Sequence, residues 1–279
     1  MKLSKLNNVI LVLFVLFIQL QSVAQSQSFK NDSHPGNFYT IEKKYSYSYI
    51  DGYNIYVPKS CTPESEAFPV IVFLQGGLAV GGKVDTILNW GLPKILKETS
   101  DIKSELDNLR LNTFVFIMPH LSSMQFYFLD SANNAITKII EEVSEKYNVD
   151  KKRIYLTGLS RGGHGTWGIA SKIPEKFAAI APICGRPNGI ENYSNLIDLP
   201  IWTSHNTGDD VVAYDGTVKT IQKIEQLSGK KFHRTDNIST AEYKTNDRIF
   251  TSGNSKDHNA WTEMYNDANF YKWLLRFHK

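Results

Sequence analysis

The sequence predicts one α/β domain: a mostly parallel sheet with an antiparallel hairpin at its start and helices on both faces. Two observations lead to this prediction. Near-continuous apolar runs alternate with amphipathic helical patterns, and such runs are typical of strands buried on both faces of a parallel sheet. The 279 residues, 42% hydrophobic and 21% charged, contain no internal repeat and no linker-like tract, so one core accounts for the chain.

Residues 1–24 have the pattern of a signal peptide. Two lysines precede an unbroken apolar run over residues 9–18, and Ser22 and Ala24 are small residues at the positions that a signal peptidase inspects. A membrane span needs about 20 apolar residues, so this run is too short for one. We therefore expect cleavage near Ala24 and a secreted or periplasmic protein without a stable membrane anchor.

Loss of this segment changes the charge of the chain only slightly. The segment carries two lysines and no acidic residue, so the formal net charge falls from +3 to +1. A near-neutral chain without a basic stripe is a poor nucleic-acid binder. We therefore expect no nucleic-acid partner, and a substrate that is a neutral or mildly charged small group or polymer.

The two cysteines leave two interpretations open. An exported protein can join Cys61 and Cys184 in a disulfide, but a cysteine such as Cys184, at the end of an apolar strand, is also typical of a lone buried thiol. Neither cysteine has metal-ligand spacing to a partner. We expect no metal site and no cofactor.

Residues 25–44 are polar and are expected to form a loose lead-in segment, so that the domain proper spans residues 45–279. Its first feature is Asp51-Gly52, a pair that favours a tight turn and lies between two strand-like segments. We therefore predict an antiparallel hairpin whose strands cover residues 45–50 and 53–57.

The remaining elements alternate along the chain. Apolar runs predict strands over residues 70–74, 113–118, 153–156, 178–184 and 200–204. Amphipathic patterns predict helices over about residues 136–147, 162–171, 218–227 and 268–277. The first of these helices lies between the second and third strands, as a right-handed crossover between parallel strands requires.

The segment Gly158-Leu159-Ser160-Arg161-Gly162 matches the pattern G-x-S-x-G and lies between a predicted strand and a predicted helix. In that context the serine occupies a strained turn that projects its Oγ out of the sheet, and the helix N-terminus offers amide N–H groups to developing negative charge. Without a chemical role, the same residues would be a glycine-rich packing turn. The context favours Ser160 as a nucleophile.

A serine nucleophile needs a histidine base and a carboxylate that orients the base, and in this arrangement the acid and then the histidine follow the serine. His258 is the preferred base because it lies in a polar loop before the last helix; His233 is its positional rival. Asp209 and Asp210 both follow the last predicted strand. Neighbouring side chains point to different sides, so only one of them is expected to serve.

Two backbone N–H groups are expected to stabilise the oxyanion. One belongs to Arg161, the residue after the nucleophile, and the other to the loop 75–78, where Gly77 is the favoured donor. The alternative is that the glycines of this loop are ordinary turn residues.

The combined motifs resemble those of a known family. Residues 153–167 are similar to the nucleophile elbow of predicted esterase/peptidase-type α/β-hydrolases, the group of feruloyl esterases, acetyl xylan esterases and polyhydroxybutyrate depolymerase-like enzymes. Other segments resemble the strand that follows the elbow, the H-G-x-x-D-x-x-V acid loop and the G-H-x-x-W base loop of that group: residues 177–185, 205–212 and 257–261.

The resemblance implies an α/β-hydrolase fold over about residues 45–279. It selects Asp209 over Asp210 as the acid, and it places Trp261 in the base loop, where we expect it to bind substrate.

Three positions depart from the group. Gln75 replaces the usual His before the oxyanion glycines, Asn206 replaces a Gly, and Arg161 replaces a Met. The Arg161 side chain either binds an acidic or sugar-acid substrate or is a surface residue at the start of its helix.

These observations predict an exported serine hydrolase that cleaves carboxylic esters with a triad of Ser160, Asp209 and His258. Residues 186–199 are too few for a large lid, so we expect an open cleft that suits a small ester or an acyl group carried by a polysaccharide. Two alternatives remain open, because a fold does not fix a substrate: a serine peptidase, and a catalytically inactive hydrolase-fold binding protein.

Overall fold

The computed structural model describes the backbone of residues 25–29, 33–46, 48–124, 127, 130–187 and 189–279. The predicted signal peptide, residues 1–24, lies outside the described residues and stays a prediction.

One mixed sheet runs through the described part of the chain. Its strands are β1 (Gln25–Phe29), β2 (Gly36–Glu42), β3 (Ile50–Pro58), β4 (Phe68–Leu74), β5 (Val115–Leu121), β6 (Val149–Leu159), β7 (Ala179–Ile183), β8 (Ile201–Ser204), β9 (His233–Thr235) and β10 (Arg248–Thr251). They lie in the order β1-β2-β3-β5-β4-β6-β7-β8-β10-β9. The pairs β1–β2, β2–β3 and β3–β5 are antiparallel, and the remaining pairs are parallel. The predicted mostly parallel sheet with an antiparallel start is confirmed.

Helices cover both faces of this sheet. They are α1 (Gly91–Glu98), α2 (Glu105–Asn112), α3 (Asp130–Lys146), α4 (Arg161–Lys172), α5 (Tyr214–Ser228), α6 (Trp261–Tyr265) and α7 (Ala268–Leu274). Within the described ranges, no helix combines the length and apolar character that crossing a membrane requires.

The buried strands explain why the apolar runs in the sequence are continuous. Along β4, Val70 and Val72 belong to a core cluster with buried residues of α3, α4 and α5, whereas Ile71 and Phe73 belong to a second cluster with residues of α1 and α7. Successive side chains of a strand point to opposite faces, and here both faces are covered.

The turn of the N-terminal hairpin is not at Asp51-Gly52, so that part of the prediction is wrong. Strand β3 continues through both residues and pairs with β2. Gly52 lies at a register shift against β5, and a Cβ atom there would collide with the Ile41 carbonyl oxygen of β2 and approach the Val84 side chain to 2.9 Å. Because a strand glycine also permits a close approach or a bulge, Asp-Gly is not a unique signal of a turn.

The expected loose lead-in, residues 25–44, is also wrong, because it supplies β1 and β2. In β2, buried positions alternate with partly exposed ones, and Phe38 and Thr40 both point inward. The polar composition concealed this period of two.

The two cysteines are not joined in a disulfide. Cys61 and Cys184 are both free, and Cys184 is buried directly after β7. Burial raises the pKa of the Cys184 thiol.

Candidate active site

The predicted nucleophile lies in a sharp turn between β6 and α4. Ser160 has φ 54° and ψ −115°, a backbone conformation that a non-glycine residue rarely adopts. Two hydrogen bonds fix the turn: the Ser160 N–H donates to the Ile183 carbonyl at 2.9 Å, and the His164 N–H donates to the Ser160 carbonyl at 2.9 Å. The strained elbow expected from the sequence is therefore present.

Two glycines of the G-x-S-x-G pattern are required by close packing. A Cβ atom on Gly158 would lie 2.6 Å from the Gly162 carbonyl group, and one on Gly162 would collide with the Leu74 carbonyl oxygen. The end of β4, the end of β6 and the start of α4 thus meet at distances that only glycine allows.

The predicted base and acid are paired. His258 Nδ1 lies 2.6 Å from Asp209 Oδ2, and the Asp209 side chain is fully buried. The carboxylate can only accept, so Nδ1 carries the proton and Nε2, on the other side of the ring, is the basic nitrogen. Nε2 is buried and has no hydrogen-bond partner among the described residues.

Four polar groups surround the Asp209 carboxylate. Oδ1 accepts the N–H groups of Val211 and Val212 at 2.9 and 2.8 Å, and Oδ2 faces His258 and the Nε2 atom of His205, which is 3.1 Å away. Burial alone would raise the pKa of Asp209, but the Val212 amide, His258 and the Val211 amide outweigh it and hold the pKa below its ordinary value. Asp209 is therefore ionised at neutral pH.

Backbone and side-chain hydrogen bonds join the acid loop to the base loop. The N–H groups of Thr207 and Gly208 donate to the carbonyls of Gly253 and Ser255 at 2.9 and 3.1 Å. The Asn206 side-chain amide donates to the Asp257 carbonyl, directly before His258, at 2.7 Å. Asn206, which replaces a Gly of the related motif, thus ties the acid loop to the residue before the base.

The predicted oxyanion loop is anchored by Gln75. Its buried amide donates to the Ala79 carbonyl at 2.7 Å and accepts the Leu121 N–H at 3.2 Å. This links a short 3₁₀ turn, Gly77–Ala79, to the end of β5. The amide of Arg161 is at the first position of α4, where helix geometry provides no intrahelical acceptor.

One cavity of about 130 Å³ brings several predicted site residues together. Ser160, His258, Gly77 and Trp261 all line it. The rest of its wall is mainly apolar and comes from Phe73, Gln75, Gly76, Leu78, Ala79, Trp90, Gly91 and Leu159. The ring of Trp261 meets that of His258 edge to face, with centroids 5.5 Å apart.

The fold has close counterparts among solved structures. A serine-to-alanine mutant of the feruloyl esterase module from Clostridium thermocellum, complexed with sinapinate, superposes with a TM-score of 0.61 and 16% identity, over 92% of this chain and 96% of that chain. The chain has the α/β-hydrolase fold.

Sequence relatives match shorter stretches of the chain. A bifunctional acetylxylan esterase/xylanase from Neocallimastix patriciarum is 40% identical over 79 residues, which is 28% of this chain and 12% of the relative. A poly(3-hydroxyalkanoate) depolymerase C from Paucimonas lemoignei is 36% identical over 53 residues, 19% of this chain and 13% of the relative. No family model matches the chain. These matches confirm the resemblance to esterase-type α/β-hydrolases.

Arg161, a predicted oxyanion and substrate residue, has its side chain next to the predicted oxyanion loop. Its Nη1 donates to the Met124 carbonyl at 3.0 Å, and its Nε lies 3.8 Å from the position that a Cβ of Gly77 would occupy. Burial, followed by the positive charges of Arg161 and Arg186, lowers the pKa of the neighbouring His164 to about 4. Arg161 and Arg186 thus place positive charge on one side of the elbow.

Two competing candidates lie elsewhere. His233 is in the edge strand β9, paired with Ile249, and Asp210 is exposed. Sequence reasoning assigned no role in the site to His205, which lies next to the Asp209 carboxylate, or to Trp90, which lines the cavity. His205 had a signal, since it stands four residues before Asp209 at the first position of the acid-loop motif, whereas Trp90 follows no periodic pattern.

Proposed function

We propose that this α/β-hydrolase is a serine hydrolase that cleaves carboxylic esters through an acyl-enzyme. The observation that carries the proposal is the His258–Asp209 pair: a buried carboxylate 2.6 Å from Nδ1 leaves Nε2 as the base, and this histidine lines the same cavity as the strained Ser160. A base held in this tautomer activates a serine hydroxyl.

The proposed reaction begins when Ser160 Oγ attacks the ester carbonyl and His258 Nε2 takes the hydroxyl proton. The N–H groups of Arg161 and Gly77 stabilise the oxyanion. The tetrahedral intermediate then expels the alcohol, which receives the proton from His258 and leaves Ser160 acylated. Water, deprotonated by His258, hydrolyses the acyl-enzyme and restores the serine. Asp209 stays ionised throughout and stabilises the imidazolium.

The proposed substrates are small esters and acyl groups carried by polysaccharides. Two findings support this choice. The cavity beside Ser160 is lined mainly by apolar side chains, including Trp90 and Trp261, which suit an acyl group rather than a charged one. Relatives and structural counterparts are named as an acetylxylan esterase and a feruloyl esterase module, and the latter was solved with sinapinate.

The test is a panel of chromogenic acetyl, butyryl, feruloyl and peptidyl substrates on the wild type and on Ser160→Ala. We expect turnover of at least one ester, little turnover of peptides, and a loss of about 10³-fold or more in the folded variant. Turnover confined to peptides would reject the ester assignment, and equal turnover in Ser160→Ala would reject the mechanism.

We also propose export of the protein, supported by the lysines, the apolar run and the small residues of segment 1–24. N-terminal sequencing of protein recovered from outside the cytoplasm should begin after Ala24. An intact Met1 terminus on that material would contradict cleavage.

A further inference from the structure

Asp209 faces two histidines, and the proposed mechanism uses only one. His205 directly follows β8, is fully buried, and places Nε2 3.1 Å from Asp209 Oδ2 and 2.9 Å from the Val212 carbonyl oxygen. Its Nδ1 lies 2.8 Å from Thr217 Oγ1. Every polar atom of this ring therefore has a partner.

These partners fix the tautomer of His205. Both neighbours of Nε2, the carboxylate and the carbonyl, can only accept, so Nε2 carries the proton. The Thr217 hydroxyl can donate to Nδ1. Burial is the main reason that the pKa of His205 lies below its ordinary value. Asp209 opposes this shift, and His258 reinforces it. The ring is therefore neutral, and its one N–H, which donates to the Val212 carbonyl oxygen at 2.9 Å, also lies 3.1 Å from Asp209 Oδ2 without adding a second cation beside His258.

The surroundings of His205 contain few other ionisable groups. Asp209 lies 3.1 Å from it, and His258 and His164 are close enough for their rings to interact with it electrostatically. The Tyr214 ring packs edge to face against it with centroids 5.7 Å apart. Asp209 is thus the ionised acceptor that lies near the His205 N–H.

We propose that His205 is a positioning residue whose Nε2–H holds the Asp209 carboxylate in the orientation that aligns His258. The inference rests on the proposed triad. The Asp209 side chain is fully buried, so water does not replace the N–H of His205 when that residue is removed. Oδ2 would then lack one hydrogen-bond donor. The carboxylate would then rotate about its Cβ–Cγ bond, and the His258 ring would follow it.

Two amide substitutions separate this role from simple packing. In His205→Gln the side-chain nitrogen reaches the place of Nε2, whereas in His205→Asn it reaches only the place of Nδ1 and contacts Thr217. Both variants remove the imidazole, but only Gln keeps a donor for Asp209. We expect kcat to fall about 10- to 100-fold in His205→Asn with KM within about threefold, and His205→Gln to recover most of the loss.

Thr217→Val is the control for stability. It removes the partner of Nδ1 in the same buried region and leaves the donor to Asp209 intact, so we expect a lower midpoint of urea unfolding with kcat within about threefold of the wild type. Equal kcat losses in His205→Gln and His205→Asn, or a matching loss in Thr217→Val, would show that His205 acts only through packing.

A measurement on the wild type keeps the proposal testable even where a variant fails to fold. Nitrogen-15 NMR of the histidine rings should show His205 as the neutral tautomer protonated on Nε2. A ring protonated on Nδ1 alone cannot donate to Asp209 and would overturn the proposal. The NMR result does not depend on turnover. Failure to cleave any ester would reject the proposed function, whereas the tautomer of His205 would still be measured independently.

Discussion

The two sides of the candidate site are built from different kinds of contact. The acid–base side, formed by the loops 204–212 and 252–261, is held by hydrogen bonds between the loops around a fully buried Asp209 side chain. The oxyanion side, formed by the loop 75–80 and Trp90, carries apolar side chains at its rim: Leu78 is 78% exposed and Trp90 is 43% exposed. The first side holds the groups of the proposed proton transfer, and the second is the side on which we propose that substrate binds.

This difference predicts two kinds of mutational effect. A change on the acid–base side should lower kcat by a similar factor for every ester, because it disturbs a step that all esters share. A change beside the oxyanion loop should alter the ratio of kcat/KM between esters.

The largest effect should come from the acid. Asp209→Asn should lower kcat about 10⁴-fold for all esters, because the amide can donate to Nδ1 and thereby favours the wrong tautomer of His258. Asp210→Asn is the matched control: Asp210 is exposed, and its substitution should cost little. Steady-state kinetics on two unrelated esters will decide, and a larger loss in the Asp210 variant would move the acid by one residue.

An intermediate effect should come from Arg161, on the other side. Arg161→Met should retain activity on neutral acetyl esters, because the elbow fixes the backbone N–H whatever the side chain. If the guanidinium binds a nearby substrate carboxylate, acidic esters should lose about 10- to 150-fold in kcat/KM, the value of one charge-assisted hydrogen bond of about 1.5–3 kcal/mol. Equal effects on neutral and acidic esters would restrict Arg161 to its contact with Met124.

The smallest effect should come from Asn206, which links the two loops of the acid–base side. Asn206→Ala removes one amide-to-carbonyl hydrogen bond, so we expect about 1 kcal/mol lower stability and a kcat about 3- to 10-fold lower for every ester. Asn195→Ala removes a comparable bond to the Ser171 carbonyl, outside the cavity, and should lower the urea midpoint alone. A kcat loss of the same size in both variants would mean that Asn206 has no special link to His258.

Sequence reasoning worked where a local pattern carried the information. The β6–Ser160–α4 turn was predicted because glycine spacing and hydrophobic periodicity both lie within a short segment. The helix over α3 follows the i, i+3, i+4, i+7 pattern, and the helix over α5 was predicted from apolar residues at three-residue spacing. The positions of Ser160, His258 and Asp209 followed from motif order and from the resemblance.

The rest depended on contacts between distant segments. Nothing near Asp51-Gly52 in the chain reveals that Val84 packs against that strand, so the pair was interpreted as a turn. Strand β10 was missed, since four buried residues after a polar segment give a weak signal. Likewise, the bond from Asn206 to Asp257 joins residues 51 positions apart. Such pairings arise from tertiary packing, which local propensity does not encode.

The most direct test is covalent labelling of the protein with a fluorophosphonate, followed by intact and peptide mass spectrometry. A serine activated by His258 should give one adduct per chain, located on Ser160, with labelling abolished in Ser160→Ala and strongly slowed in Asp209→Asn. An unlabelled folded protein, or an adduct on any other residue, would contradict the proposal that Ser160 is the nucleophile of this site.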